Sequence, residues 1–310
     1  MRTAFISHPD CMLHEMGSYH PERPDRLRVI EDELNTIGLM RRLARHIAPL
    51  TTFEQLKRVH SPEYIHFVEA VAHHASSSGL VYLDPDTAMN RYSLTAAYRA
   101  AGSVILAVDL VVGKEVENAF CNIRPPGHHA EHDRAMGFCL FNNIAVGAAH
   151  AMEAHGLERV AVVDFDVHHG NGTEDIFREE ARVMMVSTFQ HPFYPYGGTA
   201  GRSERMVNIP LTAGSGGKAF RNAVDQFWVP ALEKFKPQML FISAGFDAHR
   251  DDELASLNLV EDDYAWVTER IMEVAQKYAI GRIVSALEGG YALLALGRSV
   301  AAHVRVLSGN

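Results

Sequence analysis

Residues 160–173 read VAVVDFDVHHGNGT, an uninterrupted apolar run that ends in two aspartates and two histidines. A short apolar run of this kind, followed by polar residues and glycine, is typical of a strand buried on both faces. Asp164, Asp166 and His168 alternate by two, so an extended strand over 160–167 would place them on one side. Phe165 and Val167 would then pack on the other side. Two carboxylates and an imidazole together at a buried strand end would be poorly satisfied without a cation.

Similar apolar runs recur along the chain, and helical patterns separate them. The strand-like runs cover residues 3–7, 118–123, 160–167, 183–188, 239–244 and 282–287. The helical patterns cover residues 93–112, 141–154, 218–235 and 262–278, and residues 50–75 form a further amphipathic pattern. Strands that are apolar on both faces and alternate with helices predict an α/β fold, in which helices cover both faces of a mostly parallel sheet.

Five of these runs end in the most polar and glycine-rich sequences of the chain. They are FCNIRPPGHH (120–129), VVDFDVHHG (162–170), MVSTFQHPFYP (185–195), LFISAGFDAHRDD (240–252) and VSALEGGY (284–291). Ligands of open parallel sheets bind beyond the carboxyl ends of the strands. The five segments are therefore predicted to meet in one site.

The composition limits the classes of protein to which this chain can belong. The chain has 310 residues without a composition break or repeat, so residues 1–310 are expected to form a single domain. Three irregularly spaced cysteines are typical of reduced thiols in the cytoplasm. The formal charge of −9, without a dense Lys/Arg cluster, argues against direct binding of nucleic acid. No signal-like or membrane-spanning stretch is found, so we expect a soluble cytoplasmic chain without a membrane partner. Whether it forms a homo-oligomer stays open.

Several of the 18 histidines lie beside aspartate or glycine, as in metal or acid/base sites. Asp247 follows the apolar run 239–244, so it would lie at the end of a neighbouring strand. Asp166, His168 and Asp247 then form a three-ligand set with an open position, which is typical of catalytic zinc. By contrast, three histidines of the pattern over 50–75 are expected to be solvated or capping rather than liganding: His66, His73 and His74.

Two further segments carry candidate catalytic groups. His128 and His129 follow a rigid Arg-Pro-Pro-Gly sequence, and beside a metal-bound water they would form a general acid/base pair. Gly289 and Gly290 allow the backbone to approach the site closely and present the hydroxyl of Tyr291.

In their order and spacing, these motifs resemble the zinc-dependent histone deacetylase family, in its class II-like bacterial branch. The motifs are HPERPDR (20–26), RPPGHH (124–129), GFCLFNN (137–143), DFDVHHGNGT (164–173), SAGFDAHRDD (243–252) and EGGY (288–291). The resemblance implies the arginase/deacetylase fold, with a central eight-stranded parallel sheet. It also implies hydrolysis of an acetylated amine to the free amine and acetate.

The resemblance assigns roles to individual residues. Asp166, His168 and Asp247 match the ligands of one zinc ion per chain. His128 and His129 match the catalytic pair, with His129 as general base and acid. Tyr291 matches the tyrosine that stabilises the oxyanion, and Asp164 matches the carboxylate paired with the first histidine.

The resemblance also assigns residues around the site. It implies a narrow substrate tunnel, whose walls are formed by Gly137, Phe138, Phe193, Tyr194, Leu254, Gly289 and Gly290. A structural potassium ion would lie near Asp164, Asp166, His168 and Ser187. Arg23 matches an arginine that packs against the glycines before the catalytic tyrosine.

One departure from class I members concerns Asn171, where they carry an aspartate paired with the second histidine. The asparagine leaves His129 with a neutral partner, while His128 has a charged partner in Asp164. Because a carboxylate raises the pKa of a neighbouring imidazole, His128 is expected to hold a proton more readily than His129.

The substrate and two other classes of function stay open. Acetylpolyamine deacetylases of the superfamily often carry a glutamate seven residues after the second zinc aspartate, where this chain has Leu254. This favours acetyl-lysine in peptides or proteins, although Glu253 lies beside it and another small acyl amide is an alternative. A two-manganese ureohydrolase of the arginase type would need the DxDxxDP arrangement, which GFDAHRDD lacks. A third hypothesis is that the chain is a module without enzymatic activity that senses acetyl-lysine or a metal.

Overall fold

The computed structural model describes residues 2–199 and 203–309. Its strands, numbered in chain order, are β1 Thr3–Ser7, β2 Ala44–Ile47, β3 Val81–Tyr82, β4 Ala88–Met89, β5 Asn118–Cys121, β6 Val160–Asp164, β7 Val183–Gln190, β8 Met206–Leu211, β9 Met239–Ala244 and β10 Ile283–Leu287. Its α-helices are α1 Asp25–Thr36, α2 Phe53–Leu56, α3 Pro62–Ser78, α4 Ser93–Val112, α5 Asn143–His155, α6 Asn171–Phe177, α7 Gly217–Ala223, α8 Val229–Phe235, α9 Glu261–Tyr278 and α10 Leu293–Leu307. Short 3-10 turns cover Pro9–Met12 and Leu39–Arg42, and a π-helical segment, Val224–Trp228, joins α7 to α8.

Eight strands form one sheet in the order β2-β1-β5-β10-β9-β6-β7-β8, and every neighbouring pair is parallel. The central strands β6, β9 and β10 are buried along their whole length. Helices α4 and α5 pack together against one face, and α1, α9 and α10 pack together on the other. The predicted α/β class with helices on both faces is confirmed, and β3 and β4 add a small antiparallel pair outside the main sheet.

Neither edge strand of the sheet is among the strands predicted from the sequence, which also does not mark the short pair β3 and β4. The residues of β2 are only partly buried, so no continuous apolar run marks this strand. β8 contains Pro210, which cannot donate a ladder hydrogen bond and is tolerated at a sheet edge. The sequence analysis also missed helices α1 and α10, and the single helix expected over 50–75 is divided into α2 and α3.

The strand expected over 160–167 ends at Asp164, so strand alternation does not bring the polar residues together. Instead, Asp164 Oδ1 accepts the N–H of Asp166 at 3.1 Å, and Asp166 Oδ1 accepts the N–H of His168 at 2.9 Å. Side-chain bonds of this kind, to a backbone N–H two residues on, curl the chain. The predicted cluster therefore forms through two successive turns.

Helix α4 is long and apolar enough to cross a membrane by length and composition, the one such helix in the described part of the chain. Within the protein, 67% of its apolar window is buried, as in the core helix of a globular fold.

Candidate active site

The register of the sheet places the ends of β6, β9 and β10 side by side, next to the middle of β7. Asp164 at the end of β6 lies opposite Ser187 of β7 and Ser243 of β9, and Leu287 of β10 lies opposite Ala244. The loops that leave these strands surround a cavity of about 160 Å³. The cavity is lined by Asp86, Pro126, His128, His129, Gly137, Phe138, His168, Tyr194, Leu254, Gly289 and Tyr291.

The three predicted metal ligands converge at the base of this site. His168 Nδ1 lies 3.0 Å from Asp166 Oδ1 and 3.3 Å from Asp247 Oδ2. Backbone N–H groups hold both carboxylates: Asp166 Oδ2 accepts the N–H of Gly289 at 2.8 Å, in addition to the bond from His168 to Oδ1, and Asp247 Oδ1 accepts the N–H of Val167 at 2.9 Å. Asp247 Oδ2 is buried without a hydrogen-bond partner. The site therefore offers carboxylate oxygens that the backbone holds in place, and one of them has no hydrogen-bond partner.

The pKa shifts of His168 and Asp247 also show that these groups interact strongly. Burial opposes the charge on His168, but the carboxylates of Asp166 and Asp247 raise its pKa to about 9. Burial, followed by the neighbouring Asp166 charge, raises the pKa of Asp247 to about 6. One imidazole and two carboxylates so close together are a common ligand set for a divalent cation such as Zn²⁺.

The two adjacent histidines have different partners. His128 Nδ1 lies 3.0 Å from Asp164 Oδ2, and His129 Nδ1 lies 2.7 Å from Asn171 Oδ1. Burial disfavours the charge on both rings. For His128 this is outweighed by Asp166 and Asp164, which raise its pKa well above the ordinary value. For His129, burial and the adjacent His128 lower the pKa well below the ordinary value. The expected difference between the two histidines is present.

Asn171 is itself oriented by a residue that the sequence analysis did not single out. Its Nδ2 donates to Glu131 Oε1 at 2.7 Å, which turns Oδ1 toward His129. Because a carbonyl oxygen only accepts, Nδ1 of His129 carries the ring proton. The lone pair of the neutral ring is then on Nε2.

Tyr291 lies at the cavity wall, where its ring contacts Phe138 edge-on at a centroid distance of 5.9 Å. Burial raises the pKa of its hydroxyl well above the ordinary value, so the hydroxyl keeps its proton at neutral pH. A protonated hydroxyl in this position can donate a hydrogen bond into the cavity.

The assignment of Arg23 is wrong, and Arg26 occupies the predicted position. Arg23 is half-exposed beside Asp25, whereas Arg26 is fully buried one helical turn later. Arg26 donates to the carbonyl oxygens of Gly290 at 2.6 Å and of Glu288, and its Cζ lies 4.9 Å from the Tyr291 ring centroid. HPERPDR contains two arginines, and only the one on the inner face of α1 reaches the glycines.

Most of the predicted tunnel residues line the cavity. Gly137 must be glycine, because its φ is +56° and a Cβ would lie 2.3 Å from the His129 ring. Phe193 stacks on His168 at 5.3 Å instead of lining the cavity, and Gly290 lies behind the wall. Asp86 and Pro126 are lining residues that were missed, since Asp86 lies outside the motifs and Pro126 carries no reactive group.

Ser187 is buried, and its Oγ has no hydrogen-bond partner. It lies opposite Asp164 in the register of β6 and β7, as the predicted potassium position requires.

The histidines of α3 are not brought to the site. His66, His73 and His74 are exposed, and His66 Nδ1 lies 3.0 Å from Glu69 on the same helix.

A second His/Asp group joins the ends of α4 and α5. Asp109 Oδ1 lies 2.8 Å from His150 Nε2 and 2.7 Å from His155 Nε2. Arg58 donates to His150 Nδ1 at 2.9 Å, so a neutral His150 carries its proton on Nε2. That nitrogen then has no free lone pair, and the group is a hydrogen-bond network.

Several known proteins are similar to this chain in sequence and in fold. A model of the histone deacetylase domain matches residues 20–307. A probable deacetylase of Archaeoglobus fulgidus is 37% identical over 303 residues, covering 94% of this chain and 82% of its own length. The histone deacetylase-like amidohydrolase of Pseudomonas aeruginosa is 37% identical over 314 residues, with the same two coverages. The crystal structure of the HDA15 HD domain has a TM-score of 0.92 and 35% identity, covering 99% of this chain and 88% of that one. The chain therefore belongs to the histone deacetylase family and is a hydrolase of the deacetylase and amidohydrolase type.

Proposed function

We propose that this protein is a zinc-dependent deacetylase that removes the acetyl group from the side chain of acetyl-lysine in peptides or proteins. The observation that carries the proposal is the convergence of Asp166, His168 and Asp247 beside two histidines with opposite pKa shifts. In this proposal residues 1–310 act as one catalytic domain.

The donor set fits Zn²⁺. One nitrogen and two carboxylates bind this ion with a position left for water or substrate. The buried Asp247 Oδ2, which has no hydrogen-bond partner, supports this ligand set. When bound, the ion would polarise the amide carbonyl and lower the pKa of a water molecule toward ~7.

The two histidines have different roles: His129 carries both proton transfers, and His128 stabilises charge. His129 is the general base, because its lowered pKa and its Nδ1–H bond to Asn171 keep Nε2 free to take a proton from the attacking water. The same nitrogen then returns the proton to the leaving amine. His128, paired with Asp164, stays cationic and supports the negative charge that develops on the amide oxygen.

Tyr291 is the oxyanion donor. Its hydroxyl lies at the cavity wall and keeps its proton, so it can donate to the amide oxygen as that oxygen takes on negative charge.

The shape of the cavity favours a slender acetylated side chain. Phe138 and Tyr194 contribute aromatic rings to the lining, and Leu254 contributes an apolar side chain. Aromatic and aliphatic walls contact the methylene groups of a lysine side chain. They do not select among the groups that are attached to the lysine Cα.

An acetylpolyamine is the second candidate substrate, and Asp86 is the observation that favours it. This carboxylate lines the same cavity, and burial together with Asp84 raises its pKa to about 6. In its ionised form it can accept a hydrogen bond from a distal ammonium group. It can equally accept the backbone N–H groups of a peptide, so the substrate has to be decided by rates.

A structural K⁺ is proposed beside β6 and β7. Ser187 Oγ is buried there without a hydrogen-bond partner, and a bound K⁺ would satisfy this oxygen.

The test compares turnover of an acetyl-lysine peptide, acetylspermidine and acetylputrescine before and after dialysis against a strong chelator. The metal-free protein should be inactive, and one equivalent of Zn²⁺ should restore the rate. Asp247→Ala should lose bound zinc as well as turnover, measured by elemental analysis. Full activity of metal-free protein would overturn the zinc mechanism, and a lack of turnover on all three substrates with zinc bound would favour the non-catalytic module.

A further inference from the structure

Glu288 is a fully buried carboxylate next to the site that has no part in the proton transfers or the metal set described above. Oε2 accepts the backbone N–H of Gly127 at 2.6 Å and that of His128 at 3.1 Å. Oε1 accepts the hydroxyl of Ser243 at 3.1 Å. All three donors are neutral groups, two of the backbone and one hydroxyl.

The two N–H groups belong to the loop that carries the catalytic histidines. Arg124, at the start of the loop, is anchored by Glu22 and by the carbonyl oxygens of Cys11 and His14. Glu288 bonds the middle of the loop, where the N–H groups of Gly127 and His128 would otherwise be buried without a partner. A Cβ on Gly127 would lie 2.5 Å from the N of Asn143, so the loop has no room on its other side.

The same corner of backbone also contacts the metal set. Gly289, the next residue, donates its N–H to Asp166 Oδ2 at 2.8 Å. The carbonyl of Glu288 accepts from Arg26, which lies over Tyr291. Glu288 and Gly289 therefore tie the histidine loop to Asp166 within two residues of chain.

We propose that Glu288 is a positioning residue, which sets the distance between the His128–His129 pair and the metal ligands through the backbone of Gly127 and His128. This inference rests on the proposed function. Displacing a catalytic group by about 1 Å can cost about 10²-fold in rate, so the position of this loop matters for turnover more than for binding.

Two substitutions of Glu288 separate the position of its side-chain oxygens from their charge. In Glu288→Gln, one amide oxygen can still accept both loop N–H groups, while the amide nitrogen can donate to the Ser243 hydroxyl. In Glu288→Asp the charge is kept, but the carboxylate is withdrawn by one methylene and cannot reach the loop. Ser243→Ala is the matched control, because it removes one contact of Glu288 and leaves both loop bonds in place.

The experiment measures kcat, KM, zinc content and melting temperature for the zinc-loaded parent and these three variants, with Glu288→Ala as a fourth. We expect kcat to fall about 10²-fold in Glu288→Asp and Glu288→Ala, with KM changed less than threefold and one zinc retained. Glu288→Gln and Ser243→Ala should stay within about fivefold of the parent.

Three outcomes would overturn the positioning role: Glu288→Asp as active as the parent, Glu288→Gln as inactive as Glu288→Asp, or loss of zinc in proportion to the loss of rate. The Asp and Gln pair decides the matter even where the Ala variant does not fold. A zinc-loaded parent without turnover would instead contradict the proposed function, so the two failures are distinguishable.

Discussion

Asp252 Oδ2 accepts the backbone N–H of Tyr291 at 2.6 Å, across 39 residues of sequence. The same oxygen accepts the N–H of Ala292 at 3.1 Å, while Oδ1 accepts that of Leu254 at 3.1 Å. One buried carboxylate therefore holds both the proposed oxyanion donor and a residue of the cavity wall. Changes at the cavity wall and at the catalytic tyrosine are expected to influence one another through it.

Asp252→Asn should weaken this link. All three partners are N–H donors, so the amide nitrogen of asparagine must face a donor and leave at least one of these N–H groups without its bond. The cost is about 1–3 kcal/mol in the free energy of unfolding, measured by denaturant titration, together with a lower kcat. Asp251→Asn is the control, because Asp251 is half-exposed beside Arg298 and such a pair is worth about 0–1 kcal/mol. Equal stability of the two variants would show that the Asp252 contacts contribute little.

Tyr291→Phe removes one hydroxyl from the cavity and should leave the fold and the zinc content unchanged. Loss of an oxyanion donor costs about 3–4 kcal/mol of transition-state stabilisation, which is about 10²–10³-fold in kcat, with little change in KM. Tyr194→Phe removes a hydroxyl from the same cavity at a position without an assigned catalytic role, so its kcat should change little. A rate of Tyr291→Phe within threefold of the parent would remove Tyr291 from the oxyanion role.

Asn171→Asp should change the pH dependence. A carboxylate beside His129 raises the pKa of the imidazole, and a general base acts only in its unprotonated form. Activity is lost as pH falls through the pKa of the base, so the acidic limb of kcat/KM should move to higher pH by about 1 unit or more. The measurement is the pH profile of both proteins with zinc at saturation. An unmoved or downward-shifted limb would contradict the assignment of His129 as the base.

Leu254→Glu should shift the choice of substrate. Leu254 lines the cavity and is 38% exposed, so a carboxylate there would meet the distal ammonium of a polyamine at a partly desolvated position. Such a pair is worth more than the ~0–1 kcal/mol of a fully exposed one. The ratio of kcat/KM for acetylspermidine to that for an acetyl-lysine peptide should rise, through the polyamine value. If the parent already prefers acetylspermidine tenfold, Asp86 or Glu253 becomes the better candidate for the carboxylate that selects the substrate.

The sequence alone was sufficient for the class of fold and the family, because the signals for both are local. Buried parallel strands are apolar on both faces, and each one ends where its ligand-binding residues begin, as in the run 160–173. The groups predicted to carry the chemistry, His128, His129, Asp166, His168 and Asp247, stand next to such strand ends, and the structure brings them together. Their catalytic roles stay predictions until the rates are measured.

Only the tertiary structure decided which residues hold these groups in place. The carboxylates of Glu288, Asp252 and Glu131 act on partners distant in sequence or through backbone N–H groups, and a backbone contact leaves no mark on the partner's residue type. The choice between Arg23 and Arg26 depended on where α1 begins, because Arg23 precedes the helix and is half-exposed, whereas Arg26 lies in its first turn and faces the core. The edge strands β2 and β8 were missed because β2 is only partly buried and because Asn208 and Pro210 interrupt the apolar run of β8.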